Sequence, residues 1–150
     1  MKWRILPALA AILAVVLLVQ DGSEAWSASE APGGIVVVCN DSVKASSLSR
    51  GEIKEMFLGR KTRWADGSRV VLAALREGGA SELFLREYVG KTPQQFSRHW
   101  NRQTFTGKGR GPDLFAEPGD LIEFVKNTPG AIGYVPADVY QGQVKSVSIE

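Results

Sequence analysis

The segment Arg76–Glu82 (REGGASE) joins a predicted strand to a predicted helix and contains residue types that bind anions. Arginine presents a planar set of N–H donors that matches phosphate, sulfate or carboxylate. The two glycines let the backbone approach a ligand closely, and the serine hydroxyl can cap the helix or donate to a ligand. Free N–H groups and the helix dipole also favour negative charge at such a turn. The predicted oxyanion ligands are Arg76, Gly78, Gly79 and Ser81.

An ordinary strand–turn–helix connection is the alternative interpretation of the same segment. In that case Arg76 pairs with Glu77 or Glu82 and holds no ligand. Because a pattern this short arises often by chance, the residues alone leave both interpretations open.

The loop Thr106–Gly111 (TGKGRG) is a second place where an anion could bind. Its glycines can form a concave nest of backbone N–H groups, and Lys108 and Arg110 add positive charge. The loop is not a nucleotide-binding P-loop, because Gly109 rather than serine or threonine follows the lysine. An exposed, solvated loop is the favoured interpretation.

Neither composition nor spacing indicates an enzyme, a metal site or a bound cofactor. The single histidine, His99, stands beside Trp100 on a predicted helix, where packing or exposure explains it. The chain has no second histidine, cysteine pair or carboxylate cluster with the spacing of metal ligands. Its net charge is only +2, and it has no basic stripe with interleaved aromatic residues, so nucleic acid is not an expected partner.

The first part of the 150-residue chain is typical of a secretory signal peptide. Residues 1–4 include two cations, residues 5–19 carry no charge, and small residues follow, which predicts a signal peptide at 1–25. Fifteen apolar residues make about 22 Å of helix, less than the ~30 Å hydrocarbon core, so cleavage is favoured over an uncleaved anchor. We therefore expect a periplasmic or secreted protein with a flexible leader at 26–34 and one domain at 35–150.

Strand and helix patterns alternate through the domain, which predicts an α/β fold with at least part of its sheet parallel. Apolar runs predict strands at 35–39, 70–75, 131–135 and 144–149, with a loop at 40–47. Helix starts are predicted at Ser49, after the Arg76–Glu82 turn and at Thr92-Pro93. The lone cysteine, Cys39, cannot form an internal disulfide, and its position in an apolar strand predicts a buried thiol.

Three stretches together resemble the phosphate-binding subunit of bacterial phosphate ABC transporters. They are IKEMFLGRKTRWADGSRVVLAALREGG, FTGKG and LIEFVKNTPGAIGYV, in similar order and spacing. The most specific piece is TPGAIGYV at 128–135, and the resemblance covers about residues 35–140. It implies the type II periplasmic-binding-protein fold, in which two lobes close on an anion. Because the mature chain has room for one lobe, the expected fold is α/β, a single lobe with a mixed sheet flanked by helices.

The predicted ligand turn departs from the family pattern, Arg-x-Asp-Gly-Ser-Gly-Thr, in which the arginine, serine and threonine donate to phosphate. Arg76 and Gly79 keep the pattern. The departures are Gly78 for aspartate, Ala80 for serine, Ser81 for the second glycine and Glu82 for threonine. Ser81 can supply the lost hydroxyl from one position along, whereas an inward Glu82 side chain would repel phosphate.

Two functions follow from these expectations. The first is an exported, non-enzymatic substrate-binding domain that holds phosphate or a similar oxyanion at Arg76, linked to phosphate transport or sensing. Its implied partners include ABC transporter membrane subunits. The second is an accessory or interaction protein that keeps the lobe as a scaffold and has lost tight anion binding. In both cases a second copy or another protein is the candidate partner for the open cleft face.

Overall fold

The computed structural model describes residues 34–150, which form one compact unit. The predicted signal peptide at 1–25 and the leader up to residue 33 lie outside the described residues. Within the described range, no helix combines the length and apolar character needed to cross a bilayer.

A six-stranded mixed sheet forms the centre of the domain. Its strands are β1 (Ile35–Cys39), β2 (Ser47–Leu48), β3 (Val71–Leu75), β4 (Asp113–Phe115), β5 (Ala131–Pro136) and β6 (Lys145–Ile149), in the order β2-β6-β1-β5-β3-β4. Strands β4 and β5 run parallel to β3, and β2 runs parallel to β6. Strand β1 is antiparallel to both β5 and β6. The predicted α/β fold with a partly parallel sheet is confirmed.

The continuous apolar run of β1 reflects burial on both faces and not parallel pairing with its neighbours. Such runs are typical of parallel strands covered on both faces, yet β1 pairs antiparallel on both sides. Val37, Val38 and Cys39 are nevertheless fully buried. The short strands β2 and β4 are not predicted from the sequence, because two or three residues give no alternation to detect.

Within residues 34–150 four α-helices flank the sheet, and two of them begin with capping boxes at the helix starts predicted at Ser49 and Thr92-Pro93. They are α1 (Arg50–Phe57), α2 (Gly79–Phe84, continuing as a π-helical turn over Leu85–Val89), α3 (Pro93–Phe105) and α4 (Pro118–Asn127). At α1, the Glu52 N–H donates to the Ser49 hydroxyl (3.2 Å) and the Ser49 N–H donates to the Glu52 carboxylate (3.0 Å). Thr92 and Gln95 repeat this arrangement at α3. Each cap contributes about 1 kcal/mol, and the residue types that form it are few, so these helix starts can be predicted from the sequence.

An aromatic cluster fixes α1 and α2 against β5. The Phe84 ring of α2 stacks on Tyr134 of β5 with centroids 3.9 Å apart, and Phe57 of α1 meets Phe84 at 4.8 Å. All three side chains are fully buried. Phe105, at the end of α3, lies outside this packing and is 93% exposed.

The residues just before β3 pass very close to Gly130, which precedes β5, and this contact sets the position of β3 beside β5. Gly130 has a φ of +75°, and a Cβ atom there would overlap the carbonyl oxygen of Arg69. The Gly130 carbonyl accepts hydrogen bonds from the indole of Trp64 (2.9 Å) and from the N–H of Val71 (3.1 Å). This position therefore requires glycine for both its conformation and its space.

Candidate functional site

Arg76 lies at the carboxyl end of β3 with its guanidinium exposed to solvent. Its backbone is held in place because its N–H donates to the carbonyl of Phe115 in β4 (2.8 Å). Within residues 34–150 its side chain forms no ion pair, so the alternative pairing with Glu77 or Glu82 is not made. The guanidinium is therefore free to meet an anion.

The turn after Arg76 leaves the start of α2 uncapped. Gly78 is the N-cap residue with a φ of 109°, a conformation that favours glycine, and no side chain caps the helix. The first helical hydrogen bond joins the Glu82 N–H to the Gly78 carbonyl (3.0 Å), so the N–H groups before Glu82 have no acceptor within the helix. The Glu82 carboxylate lies 3.9 Å from the Arg86 guanidinium, its neighbour on the exposed helix surface.

Ser81 is turned into the protein rather than towards the helix start. It is only 2% exposed, and its hydroxyl donates to the carbonyl of Leu75 (3.2 Å). The same hydroxyl accepts from the Tyr134 phenol (3.2 Å), and the Leu75 N–H donates to that phenol (3.2 Å). The Ser81 hydroxyl is thus part of an internal network, while its backbone N–H belongs to the open first turn of α2.

Sequence reasoning misses Tyr134, which ties this network to β5. Its side chain is fully buried, and burial raises the pKa of the phenol, although the hydrogen bonds to Ser81 and Leu75 act in the opposite direction. The phenol therefore stays protonated at neutral pH and remains a donor. A signal for it does exist, because Tyr134 belongs to the segment TPGAIGYV, the most specific piece of the sequence resemblance.

A cleft of about 370 Å³ opens between the Arg76 turn and α3. We call it the turn cleft. Arg76, Ser81 and Tyr134 line one side, and residues of α3 line the other, among them Ser97, Asn101 and Thr104. Apolar side chains complete its walls, including Leu114, which is 50% exposed. A mostly apolar concavity with few polar groups is typical of small-molecule sites, and Arg76 is the only cation in its lining.

The structure thus brings together two of the four predicted ligand residues in one cleft. Arg76 and Ser81 line it, whereas Gly78 and Gly79 are exposed in the turn and do not line it. The two glycines shape the entry into α2, so they lie next to the cleft along the chain.

The second candidate segment, Thr106–Gly111, is an exposed loop in the structure. Its Arg110 pairs with Asp113 at 3.0 Å. The loop borders another cleft, of about 390 Å³, which lies at the amino end of β3 and is separate from the turn cleft except for shared Trp100 and Gly111.

His99 has a packing role. Its Nε2 lies 2.9 Å from the carbonyl oxygen of Leu58, and its ring meets Trp100 edge to face at 5.4 Å. These contacts join α3 to the end of α1. Within residues 34–150 we find no group of three or more histidine, cysteine, aspartate or glutamate residues placed to hold a metal ion.

The fold is similar to part of several solved structures, although no family model and no curated protein matches the sequence. One, described as a phosphate ABC transporter substrate-binding protein from Clostridium perfringens with bound phosphate, is 18% identical with a TM-score of 0.60. PstS from Borrelia burgdorferi is 12% identical with a TM-score of 0.59. A phosphate-binding protein from Stenotrophomonas maltophilia is 18% identical with a TM-score of 0.58. The fold is that of one lobe of a periplasmic-binding protein.

The alignments cover most of this chain but less than half of each relative. They span 77%, 78% and 79% of this chain and 44%, 47% and 39% of the three relatives, respectively. At this level of identity the likeness establishes the fold. The expected single-lobe architecture, with a mixed sheet flanked by helices, is confirmed.

Proposed function

We propose that this chain is an exported lobe that binds phosphate or a similar oxyanion at the Arg76 turn, in the service of phosphate transport or sensing. The observation that carries the proposal is Arg76 itself, an exposed cation at the edge of the turn cleft that forms no ion pair with any residue of 34–150. In α/β sheets, ligands bind outside the carboxyl ends of the strands, which is where Arg76 lies. The phosphate-binding proteins that share the fold support the ligand class.

Each predicted ligand residue has a defined part in this proposal. The Arg76 guanidinium binds two oxygens of the anion, as arginine does with phosphate and carboxylate. The N–H groups of Gly79 and Ser81 donate from the uncapped start of α2. Gly78 supplies the positive φ that turns the chain, and the Ser81 hydroxyl holds the strand end in place.

We expect weak binding by the isolated chain, because a single lobe leaves the anion open to water. Contacts in a high dielectric are weak, so a millimolar Kd, or about 4 kcal/mol, is consistent with this geometry. A second copy, another protein or the membrane subunits of an ABC transporter would raise the affinity by covering the open face. Export to the periplasm or beyond rests on the predicted signal peptide at 1–25.

The decisive experiment is isothermal titration of the full-length chain with phosphate and, separately, sulfate. We compare the wild type with Arg76→Ala and with a matched control, Arg98→Ala, which removes an exposed arginine of α3 that lines neither cleft. We expect saturable heat from the wild type and the control and at least about tenfold weaker binding in Arg76→Ala, a loss of about 1.4 kcal/mol.

Two outcomes would contradict the proposal. One is the absence of saturable heat in the wild type up to about 10 mM anion, a range that includes the expected affinity. The other is equal binding by the wild type and Arg76→Ala. Circular dichroism of all three proteins checks that each is folded.

A further inference from the structure

A second cleft, of about 390 Å³, lies at the other end of β3 from Arg76 and is strongly basic. It is bordered by residues 61–63, residues 69–72 and the loop that precedes β4. Five cations line it, and we call it the basic cleft: Lys61, Arg63, Arg69, Lys108 and Arg110. The only carboxylate in its lining is Asp113. These cations come from three separate chain segments that only the tertiary structure brings together.

Ion pairs account for two of the five cations. Lys61 pairs with Glu52 at 2.6 Å, and Arg110 pairs with Asp113 at 3.0 Å. The others, Arg63, Arg69 and Lys108, have no ion pair within residues 34–150. The cleft therefore has three cations that no carboxylate of the described domain compensates.

Two of these cations face each other across an isolated antiparallel bridge. Arg63 and Arg69 are bridge partners, which places their Cα atoms about 5 Å apart. Like charges directly opposite each other destabilise a β-pair. Two hydrogen bonds hold the bridge closed, from the Val70 N–H to the Thr62 carbonyl (2.9 Å) and from the Trp64 N–H to the Ser68 carbonyl (2.8 Å). The Arg63 guanidinium also donates to the Gly67 carbonyl (2.8 Å), a neutral acceptor that leaves its charge uncompensated. A bound anion would reduce the repulsion between these two positive charges.

We propose that the basic cleft binds a small anion of the triphosphate class, independently of the Arg76 turn. Three uncompensated cations complement a chain of phosphoryl groups better than a single oxyanion, and arginine binds phosphoryl oxygens in a bidentate manner. The volume falls in the range of small-molecule sites. Both inorganic triphosphate and a nucleoside triphosphate have the required chemistry.

The test is isothermal titration of the full-length chain with inorganic triphosphate, ATP and orthophosphate. The variant is Arg63→Gln/Arg69→Gln, and the matched control is Arg98→Gln/Arg102→Gln, which removes the same charge from exposed positions of α3 outside both clefts. We expect triphosphate to bind at least about tenfold more tightly than orthophosphate. The cleft variant should lose at least about tenfold in triphosphate affinity, and the control should change by less than about twofold.

Comparing the affinities for inorganic triphosphate and ATP shows whether the cleft recognises only the phosphoryl chain or also a nucleoside. Equal affinities mean that the cleft recognises the phosphoryl chain alone, and tighter ATP binding adds contacts to the nucleoside; both support the proposal. If neither inorganic triphosphate nor ATP gives saturable heat, the proposal is wrong. An equal loss in the cleft variant and the control would also overturn it, because general charge attraction would then explain the binding.

Thermal unfolding gives a second readout that does not depend on heat of binding. Triphosphate should raise the Tm of the wild type and of the control, because a ligand that binds only the folded chain stabilises it. At the same triphosphate concentration it should raise the Tm of the cleft variant by less. Arg76→Ala should keep the full triphosphate response, so failure of the Arg76 proposal and failure of this one are distinguishable.

Discussion

At the scale of single residues, the network of Ser81, Tyr134 and the Leu75 backbone fixes the end of β3 from which Arg76 projects. The Leu75 N–H and carbonyl are both satisfied by side chains rather than by another strand. These groups are buried, so each would cost free energy if it lost its partner. The serine that the sequence places near the ligand thus has a hydroxyl that holds the scaffold.

We expect Ser81→Ala to lower the free energy of unfolding by about 1–3 kcal/mol, because it removes the hydroxyl that donates to the buried Leu75 carbonyl and accepts from the Tyr134 phenol. Only the Tyr134 phenol, 3.5 Å from the Leu75 carbonyl oxygen, then remains among the described hydroxyl donors to that group. Urea denaturation measures the change. Ser97→Ala, which removes an exposed hydroxyl of α3, is the control and should change stability by less than about 0.5 kcal/mol. If Ser81→Ala unfolds like the control but binds phosphate poorly, the hydroxyl is a direct ligand instead.

Cys39 should be chemically inert in the folded chain. Its side chain is fully buried, and desolvation raises the pKa of the thiol to about 11 from 9.0; the charge of Lys145 lowers this pKa, and that of Asp41 raises it. Since the thiolate is the reactive form, iodoacetamide at pH 8 should label the urea-unfolded chain and leave the native chain unmodified. Rapid labelling of the native chain would contradict the burial of the thiol.

The same pKa shift predicts the sign of a pH effect. The folded-state pKa lies above the unfolded value, so the contribution of Cys39 to stability is complete below pH 9 and is lost as the pH rises towards 11. Urea unfolding between pH 8 and pH 10 should show a steeper loss of stability in the wild type than in Cys39→Ala. Parallel slopes for the two proteins would show that another group controls alkaline stability.

At the scale of elements, the close contact between the start of β3 and Gly130 determines how β3 and β5 pair. The Val71 N–H bonds to the Gly130 carbonyl, and the parallel register of β3 with β5 begins at the next residue, with Val71 opposite Ala131. Trp64 bonds to the same carbonyl, so the hairpin before β3 is attached at the same point. One glycine therefore anchors the amino end of β3, which borders the basic cleft.

We expect Gly130→Ala to cost at least about 3 kcal/mol, because it adds backbone strain at positive φ to an overlap with the Arg69 carbonyl. Gly142→Ala is a matched control: its φ is +78°, but the added Cβ meets nothing, so only the strain of about 1 kcal/mol remains. Urea denaturation compares the two variants. Equal losses would show that conformation, rather than space, makes glycine necessary at position 130.

At the scale of the whole molecule, the two clefts lie at opposite ends of one strand and differ in charge. The turn cleft has one cation, and the basic cleft has five. The backbone of β3, paired on both sides by β4 and β5, separates them. The linings of the two clefts share only Trp100 and Gly111, neither of which is charged, so no charged group of residues 34–150 contacts both sites.

We therefore expect the two sites to bind independently. In the triple variant Arg63→Gln/Arg69→Gln/Arg76→Ala, the losses of phosphate and triphosphate affinity should equal those of the separate variants within about 0.5 kcal/mol. Titration of each ligand in the presence of the other provides the measurement. A larger coupling would show that the ligands share a site or that the lobe changes shape between them.

The sequence alone determined the features that depend on neighbouring residues. The helix starts at Ser49 and Thr92-Pro93 and the apolar strands are local patterns of hydrogen bonding and hydrophobicity, and the structure contains them. The resemblance carried by TPGAIGYV and the two other stretches added the expectation of a periplasmic-binding-protein fold. The Arg76 ligand site remains a prediction.

Only the tertiary structure decided which distant residues meet. The antiparallel pairing of β1, the inward turn of Ser81 towards Tyr134 and the assembly of the basic cleft from three segments all join residues far apart in the chain. Hydrophobic burial is non-directional, so an apolar pattern states that a residue is buried and not which partner buries it. Which residues contact each other is decided only when the whole chain packs. The basic cleft therefore could not be predicted from the sequence, because its cations come from separate segments.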